Sequence, residues 1–189
     1  MAFLNQEQLL KIGLKKLGKN VLISEKASIY GQQNIEIGDN TRIDDFCIIS
    51  AGSGGISIGR NVHIACYVSL IGSGKIEIQD FAGISSRVSC YSSNDDYSGS
   101  FLTGPTVPAK YRNSIDSPVF IGRHVVVGSG SVILPGVSIG SYSSIGALSL
   151  VKRNVPENEI HVGTPAKFIK ERKRNLVELE KSYLAEIGK

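Results

Sequence analysis

Aliphatic residues return at every sixth position through the second half of the chain, and a glycine directly follows most of them. A small or β-branched residue stands four places after each aliphatic position. The aliphatic positions in register are Ile121, Val127, Ile133, Ile139, Ile145 and Val151. This period matches neither the 3.6-residue repeat of a helix nor the alternation of an amphipathic strand.

The same unit begins earlier at Ile37, Ile58 and Ile78, with slips of two or three residues between the runs. A hexapeptide repeat is typical of a parallel β-helix. Each unit is expected to form one short strand and turn, with three units to a coil and the aliphatic side chain pointing to the axis. We expect the glycine to supply the positive φ of the turn. The sequence therefore predicts an all-β solenoid whose coil-to-coil ladder satisfies the backbone.

Two segments outside the repeat have a helical pattern. Within residues 1–20, leucines at helical spacing predict an N-terminal helix that caps the open end of the solenoid. These leucines are Leu10, Leu14 and Leu17. Residues 166–189 are predicted to form a C-terminal helix, whose first half is basic.

A long insertion interrupts the repeat between Cys90 and Ile121. This loop, residues 91–120, holds five of the 13 aromatic residues and three of the six prolines. Loops of this length in a compact domain are usually functional. We therefore predict a single domain over 1–189, with the β-helix at 21–165 interrupted by this loop.

Charge and composition exclude several classes of protein. The formal net charge is 21 − 17 = +4, too small to predict nucleic-acid binding. No apolar run approaches the roughly 18 residues of a membrane span, and the N-terminus lacks a leader pattern, so a cytoplasmic location is expected. Cys47, Cys66 and Cys90 include no C-x-x-C pair, which predicts reduced core thiols and no metal site.

Two stretches resemble a known family. Residues 122–137 read GRHVVVGSGSVILPGV, and residues 162–167 read VGTPAK. Over about 20–172 the chain is similar to the hexapeptide-repeat acyltransferases. Within that superfamily it looks most like the galactoside and maltose acetyltransferases and the sugar acetyltransferases of surface-polysaccharide (O-antigen and lipopolysaccharide) biosynthesis. The resemblance implies a left-handed parallel β-helix, a homotrimer, and direct acetyl transfer from acetyl-CoA to a sugar without a covalent enzyme intermediate.

The family's acyl-CoA lies in the groove between adjacent subunits. Cations near that groove suit the phosphates of CoA, and a smooth wall of small residues lets the pantetheine arm pack closely. The CoA contacts implied by position are Gly128, Ser129, Gly146, Ala147, Lys152, Arg153, Thr164, Lys167 and Lys170. Two structural alternatives stand beside this hypothesis: the glycines serve only the turns, and the basic run 167–174 is a solvated helix face.

The family's catalytic histidine is missing from the inserted loop, where Asn94 occupies its place. One hypothesis is an amine acceptor, which needs positioning and proton removal more than activation. Asn94 with Asp95 or Asp96 would then bind an amino sugar, and a carboxylate or the departing thiolate would take the proton. A second hypothesis makes Asp95 or Asp96 the base toward a sugar hydroxyl, with a pKa raised by confinement. A base at His63 or His124, or an inactive relative, completes the alternatives.

The acceptor is expected to be a sugar or nucleotide-linked sugar. Tyr91 and Tyr97 offer flat surfaces for stacking, although they could equally anchor the loop. His63 and His124 are candidates for substrate binding, and a structural role at variable repeat positions is the alternative for each.

Two other functions compete on the same fold. A trimeric zinc hydratase resembling the γ-class carbonic anhydrases would need three clustered histidines, whereas His63, His124 and His161 are scattered along the chain. A non-catalytic binding scaffold would have no need of the inserted loop.

Overall fold

The computed structural model of the protein describes residues 2–188. Short parallel strands build three sheets, which are the walls of a left-handed β-helix of about seven turns. The predicted solenoid is therefore confirmed. None of the helices within these residues is long and apolar enough to cross a membrane.

The elements are short because the chain turns a corner about every six residues. The first half contains α1 (Gln6–Ile12), β1 (Lys16–Leu17), β2 (Leu22–Ile23), β3 (Ser28–Tyr30), β4 (Ile35–Ile37), β5 (Arg42–Ile43), β6 (Ile48–Ala51), β7 (Ile56–Ile58), β8 (His63–Ile64), β9 (Ser69–Gly72), β10 (Ile76–Ile78), β11 (Gly83–Ile84) and β12 (Ser89–Tyr91). The second half contains β13 (Ser93–Asn94), β14 (Ile115–Asp116), β15 (Val119–Ile121), β16 (Val126–Val127), β17 (Val132–Ile133), β18 (Ser138–Ile139), β19 (Ser144–Ile145), β20 (Leu150–Val151), β21 (Glu159–Val162), β22 (Lys167–Glu171) and α2 (Leu176–Glu186). Two 3-10 turns lie at Gln32–Asn34 and Ala109–Tyr111.

Each wall takes one strand from every coil. Wall A contains β1, β4, β7, β10, β15 and β18; wall B contains β2, β5, β8, β11, β16, β19 and β21, with β22 at its end; wall C contains β3, β6, β9, β12, β17 and β20. The register aligns the aliphatic position of each coil with its equivalent in the next, as in the pairing of Ile64, Ile84 and Val127 on wall B. These side chains are 0–1% exposed and form the axial core. Burying each contributes about 1.5–3 kcal/mol.

The repeat glycine has a different role from the one predicted. The positive φ belongs to the third residue after the aliphatic position, for example Asn40 (57°), His124 (57°) and Tyr142 (66°). The glycine has an ordinary φ, but a Cβ on Gly122 would lie 2.5 Å from the backbone nitrogen of Ser141. Glycine is needed there because the next coil passes too close for a side chain.

The N-terminal helix is shorter than predicted. Helix α1 ends at Gly13, which has a left-handed φ of 77°, and the chain has entered wall A by Leu17. Leu9 is the buried residue of α1, whereas Leu10 is 66% exposed. The predicted leucine stripe was therefore wrong, although α1 does pack against the core.

The C-terminal helix predicted over 166–189 was wrong in its first half. Residues Lys167–Glu171 form β22, which pairs antiparallel with β21 and ends wall B. Phe168 and Ile169 have strand propensity. Pairing with β22 also satisfies backbone N–H and C=O groups of β21, which would lack partners if residues 167–171 formed a helix. Only Leu176–Glu186 is helical.

The inserted loop leaves wall C after Tyr91 and rejoins wall A at Val119. Its base is a two-stranded antiparallel pair, β13 with β14, in which the Ser93 hydroxyl donates to Asp116 at 2.6 Å. The first residue of the predicted loop 91–120 and its last two residues therefore belong to wall strands. The pair sets the direction in which Asn94 and the residues after it leave the solenoid.

Candidate functional site

A shallow groove runs across wall B over the third to fifth coils. We name it the wall-B groove; it is lined by His63, Ala65, Gly83, Ile84, Ser85, Ser86, Val126 and Ser129. Outward positions of adjacent strands bring these residues together, since His63 pairs with Gly83 and Gly83 with Val126. The groove thus joins a histidine, three hydroxyls and apolar wall in one concavity.

His63 is held at the edge of this groove by a buried carboxylate. Its Nε2 lies 2.9 Å from Asp44 Oδ2, and Arg42 Nε donates to the other oxygen of Asp44 at 2.6 Å. The His63 side chain is 53% exposed and that of Asp44 is 8% exposed. Burial alone would raise the pKa of Asp44, but the hydrogen bonds from Arg42 and His63 outweigh it and hold the pKa below its usual range. His63 is therefore oriented while its ring stays accessible.

His124 has quite different surroundings. Its ring stacks between Phe81 and Tyr142, with centroids 4.9 and 5.6 Å away, and its Nε2 lies 2.6 Å from Glu180 Oε2 on α2. Burial, then the charges of Arg123 and Arg172, lower the pKa of His124 to about 4, so the neutral ring donates its N–H to Glu180. These contacts are structural, and substrate binding by His124 stays a prediction.

Three of the predicted CoA contacts meet at the C-terminal end of the solenoid. Lys152, Arg153 and Lys167 line one pocket together with Pro165 and Ala166. This brings three cations from two separate stretches of chain around one concave surface. Such a cluster can hold the phosphates of a nucleotide cofactor.

The other predicted CoA contacts are spread along wall B and the corner that follows it. Ser129 lines the wall-B groove, Ala147 is exposed one coil further, and the Thr164 hydroxyl donates to the Leu148 carbonyl at 3.2 Å. Lys170 is exposed on β22. The row thus runs from the groove toward the three-cation pocket.

Coil packing by itself accounts for two predicted glycine contacts. A Cβ on Gly128 would lie 2.4 Å from the Ala147 nitrogen, and one on Gly146 would lie 2.6 Å from Val162 Cγ2. Gly128 meets backbone atoms and requires glycine in the isolated chain, whereas Gly146 meets only the exposed side chain of Val162. Contact with CoA stays a prediction for each.

In the inserted loop, Asn94 and Asp95 are both exposed. Within residues 2–188 neither side chain makes a hydrogen bond or ion pair. An amide and a carboxylate without partners are thus adjacent, and both are available to a ligand.

One hypothesis made Asp96 a base with a pKa raised by confinement. In this structure the pKa of Asp96 is shifted in the opposite direction. Its carboxylate accepts hydrogen bonds from the Ser98 hydroxyl at 2.9 Å and from the backbone N–H groups of Ser98, Ser100 and Phe101 at 3.2 Å. The Ser98 hydroxyl, supported by these N–H groups, lowers the pKa of Asp96. The turn uses the oxygens of Asp96 to fold the loop, and a catalytic role for Asp96 stays a prediction.

The two tyrosines predicted to bind substrate differ in their exposure to solvent. Tyr91 is on wall C, paired with Ile71 and partly buried, whereas Tyr97 is 87% exposed near the loop tip. Of the two, Tyr97 has the free ring face that stacking on a ligand needs.

The three histidines do not converge. His63 pairs with Asp44, His124 with Glu180, and His161 with Glu159 at 2.6 Å. Across residues 2–188 no group of three metal-ligating side chains is present. Cys47, Cys66 and Cys90 are free thiols there, and burial raises the pKa of Cys47 to about 11 and of Cys90 to about 12.

Sequence reasoning missed four residues of these surroundings. Ser85 and Ser86 were detectable, because Ser85 stands where the repeat has glycine. Asp44 and Glu180 carried no local signal, since the histidines they hold are 19 and 56 positions away.

Comparison with known proteins agrees with this geometry. The model of the bacterial transferase hexapeptide family, six repeats, matches residues 118–153. A dTDP-4-amino-4,6-dideoxy-D-glucose acyltransferase from Escherichia coli is 52% identical over 97% of this chain and 95% of the relative. The galactoside O-acetyltransferase of E. coli K12 is 29% identical over 79% of this chain and 70% of the relative.

A solved structure matches the whole solenoid. The N-acyltransferase AntD from Bacillus cereus, crystallised with dTDP and 3-hydroxybutyryl-CoA, superposes with a TM-score of 0.94 at 47% identity, covering 99% of this chain and 98% of that one. The chain therefore belongs to the hexapeptide-repeat acyltransferase family. It is an acyltransferase whose acyl donor is a CoA thioester.

Proposed function

We propose that the protein transfers an acetyl group from acetyl-CoA to the amino group of a dTDP-linked 4-amino-4,6-dideoxy sugar. The E. coli relative is named for this acceptor, and AntD was crystallised with dTDP and an acyl-CoA. Identity of 52% over nearly the full length of both chains supports a common acceptor class.

The observation that carries this proposal is the content of the inserted loop. No histidine is present in residues 91–120, and Asn94 and Asp95 present an unpartnered amide and carboxylate. Transfer to a sugar hydroxyl normally uses a histidine as general base, and this loop has none. An amine is a nucleophile once it is neutral, so hydrogen-bond acceptors that orient it are enough.

In this reaction the amine nitrogen attacks the thioester carbonyl, the new C–N bond forms, and the C–S bond breaks. The nitrogen loses one proton, which passes to the Asp95 carboxylate or directly to the departing CoA thiolate. Asn94 and Asp95 orient the amine, and the hydroxyls of Ser85 and Ser86 stabilise the developing oxyanion. No covalent enzyme intermediate is required.

The donor would lie along the row from Ser129 to the pocket of Lys152, Arg153 and Lys167. The cations suit its phosphates, and the thioester would then reach the wall-B groove. Because this groove is open in one chain, we propose that the working form is a homotrimer in which a neighbouring copy supplies the opposite side. The predicted contacts of Gly128, Gly146, Ala147, Thr164 and Lys170 belong to this arrangement.

The product would be a building block for a surface polysaccharide such as O-antigen. A cytoplasmic location fits the proposal, because nucleotide sugars and acetyl-CoA are both made there.

Thiol release from acetyl-CoA tests the proposal, with dTDP-4-amino-4,6-dideoxyglucose and dTDP-glucose as paired acceptors. We expect turnover with the amino sugar and no release above background with the sugar that has only hydroxyls. Equal turnover with both would favour O-transfer with Asp95 as base. Failure to bind either CoA or dTDP in calorimetry would favour a non-catalytic scaffold.

A further inference from the structure

One glycine in the solenoid has no structural reason to be glycine. All 21 glycines lie within residues 2–188, and among them only Gly83 has both an ordinary φ and no atom within 4 Å of where its Cβ would lie. Gly83 is a strand residue of β11, and its N–H donates to Val125 at 2.8 Å. Glycine inside a strand weakens it, and it often marks a place where a ligand approaches the backbone.

The missing side chain opens a gap at one definite place. Along the outward column of wall B, Gly83 stands between His63 and Val126, and it lies at the centre of the wall-B groove. Every other position in that column carries a side chain; these are Leu22, Arg42, His63, Val126, Ser144 and Ile160. Any larger residue at 83 would fill the floor of the groove.

The chemistry around the gap suits a sugar better than an acyl chain. His63, fixed by Asp44, provides a polar group that a pyranose hydroxyl can satisfy and an acetyl methyl cannot, while Ser85 and Ser86 serve the thioester carbonyl as proposed above. Val126 and Ala65 supply apolar surface on the same floor, which suits the deoxygenated edge of a dideoxy sugar. The cation pocket lies coils away toward the C-terminus, so an acyl-CoA anchored there would enter the groove by its thioester end.

We infer that Gly83 determines acceptor specificity by leaving room for the sugar ring against wall B. The inference rests on the proposed acyl transfer to a nucleotide-linked amino sugar and adds the surface on which that sugar rests. Ring size and substituents would be selected at this position, because the floor is backbone rather than an adaptable side chain.

Steady-state kinetics of Gly83→Ala and Gly83→Val test the inference. We expect Gly83→Val to raise the KM for dTDP-4-amino-4,6-dideoxyglucose about tenfold or more, the scale of one or two methyl groups in a pocket. Gly83→Ala should have a smaller effect in the same direction. The KM for acetyl-CoA should change less than twofold in both variants. The melting temperature should be unchanged or higher, because the added atoms meet nothing in the chain.

Two controls separate this effect from damage to the solenoid. Ser57→Val places the same valine side chain at an outward position of wall A and should leave both KM values unchanged. Gly122→Ala should lower the melting temperature, since its Cβ would meet the next coil. Turnover by the unmodified protein tests the proposed reaction, whereas the ratio of variant to unmodified KM tests Gly83.

Three results would overturn the inference. An unchanged acceptor KM in Gly83→Val would mean that the sugar does not rest there. A change in the preference between acetyl-CoA and 3-hydroxybutyryl-CoA with a constant acceptor KM would assign the gap to the acyl chain. A smaller molecular mass by light scattering would assign it to a neighbouring copy of the chain.

Discussion

Two histidines, His63 and His124, occupy hexapeptide units of similar sequence but very different surroundings. His63 is an outward strand residue on wall B, paired with Asp44 and open to the groove. His124 is a corner residue with positive φ, stacked between aromatic rings and covered by α2. Position within the six-residue unit therefore decides the environment: the strand position of His63 faces outward into the groove, whereas His124, the third residue after the aliphatic position, stacks along a corner.

The corner is a second organised region beside the groove. Around His124, Arg123 pairs with Asp80 and Glu180, and Arg172 Nη1 donates to the carbonyls of His124, Tyr142 and Ser143 at 2.7–3.2 Å. We call this set the α2 clamp. Arg60 also pairs with Asp80, so three guanidinium groups lie around two carboxylates. The charges of Arg123 and Arg172 favour the neutral form of His124.

The largest expected effect is loss of the α2 clamp. Glu180→Ala should lower the free energy of unfolding by about 3 kcal/mol, because it leaves the partly buried His124 without its acceptor and Arg123 with Asp80 alone. Urea denaturation measures this. The matched control is Glu178→Ala on the exposed face of α2, where the pair with Lys181 contributes about 0.5 kcal/mol or less. Equal losses in the two variants would show that the clamp adds nothing.

The second prediction tests whether the inserted loop acts together with the wall-B groove in the reaction. Asn94→Ala and Asp95→Ala should each lower kcat about a hundredfold, the usual cost of losing a group that handles the reacting proton or its donor. CoA affinity in calorimetry and the melting temperature should not change. Asp96→Asn keeps an acceptor for the turn and should retain activity within a few-fold. Full turnover in both Ala variants would show that the loop is not part of the active site.

A third test separates the two histidines directly. His63→Ala should raise the acceptor KM about tenfold, the worth of one hydrogen bond of about 1.4 kcal/mol, with little change in melting temperature. His124→Ala should do the reverse, lowering the melting temperature while the folded protein keeps its kinetics. The same pattern of losses in both variants would erase the distinction between groove and corner.

The last expected effect, absent at neutral pH, is a pH dependence of stability from His124. In the folded state its pKa is lowered to about 4, whereas the unfolded chain titrates near 6.5. The unfolded state therefore binds more protons as the pH falls from about 6.5 to about 4, so stability decreases over that window and is unaffected above it. Urea midpoints for the unmodified protein should fall more steeply there than those for His124→Gln. Parallel curves would contradict the lowered pKa.

The core could be predicted from the sequence because its signal is local and repeated. Ile121, Val127 and Ile133 differ in position by six, and the structure stacks them by that rule. The residues with positive φ at the corners were not predicted from the sequence. They include asparagine, phenylalanine, histidine and tyrosine, which have no common sequence signal for this conformation. The helical pattern was also misleading at Lys167–Glu171, where Phe168 and Ile169 favour a strand and β22 pairs with β21.

Part of the candidate site came from the family resemblance. Lys152, Arg153 and Lys167, which the resemblance assigns to CoA, line one pocket, and CoA binding there stays a prediction. Asp44, the partner of His63, is set by which coils are adjacent, and Glu180, the partner of His124, is set by where α2 packs. Sequence spacing indicates neither of these two pairings. Gly83 was hidden among glycines, and only its empty surroundings distinguish it.

The reversed strand β22 also limits growth of the solenoid. A β-helix could in principle add coils from another molecule at either end, producing fibrils, because each terminal coil is a template of unpaired N–H and C=O groups. Here the final strand runs antiparallel to its neighbour and presents Lys167 and Lys170 at the rim, while Leu9 of α1 covers the opposite end. The reversed strand with its lysines at one end and α1 at the other disfavour the stacking of further coils.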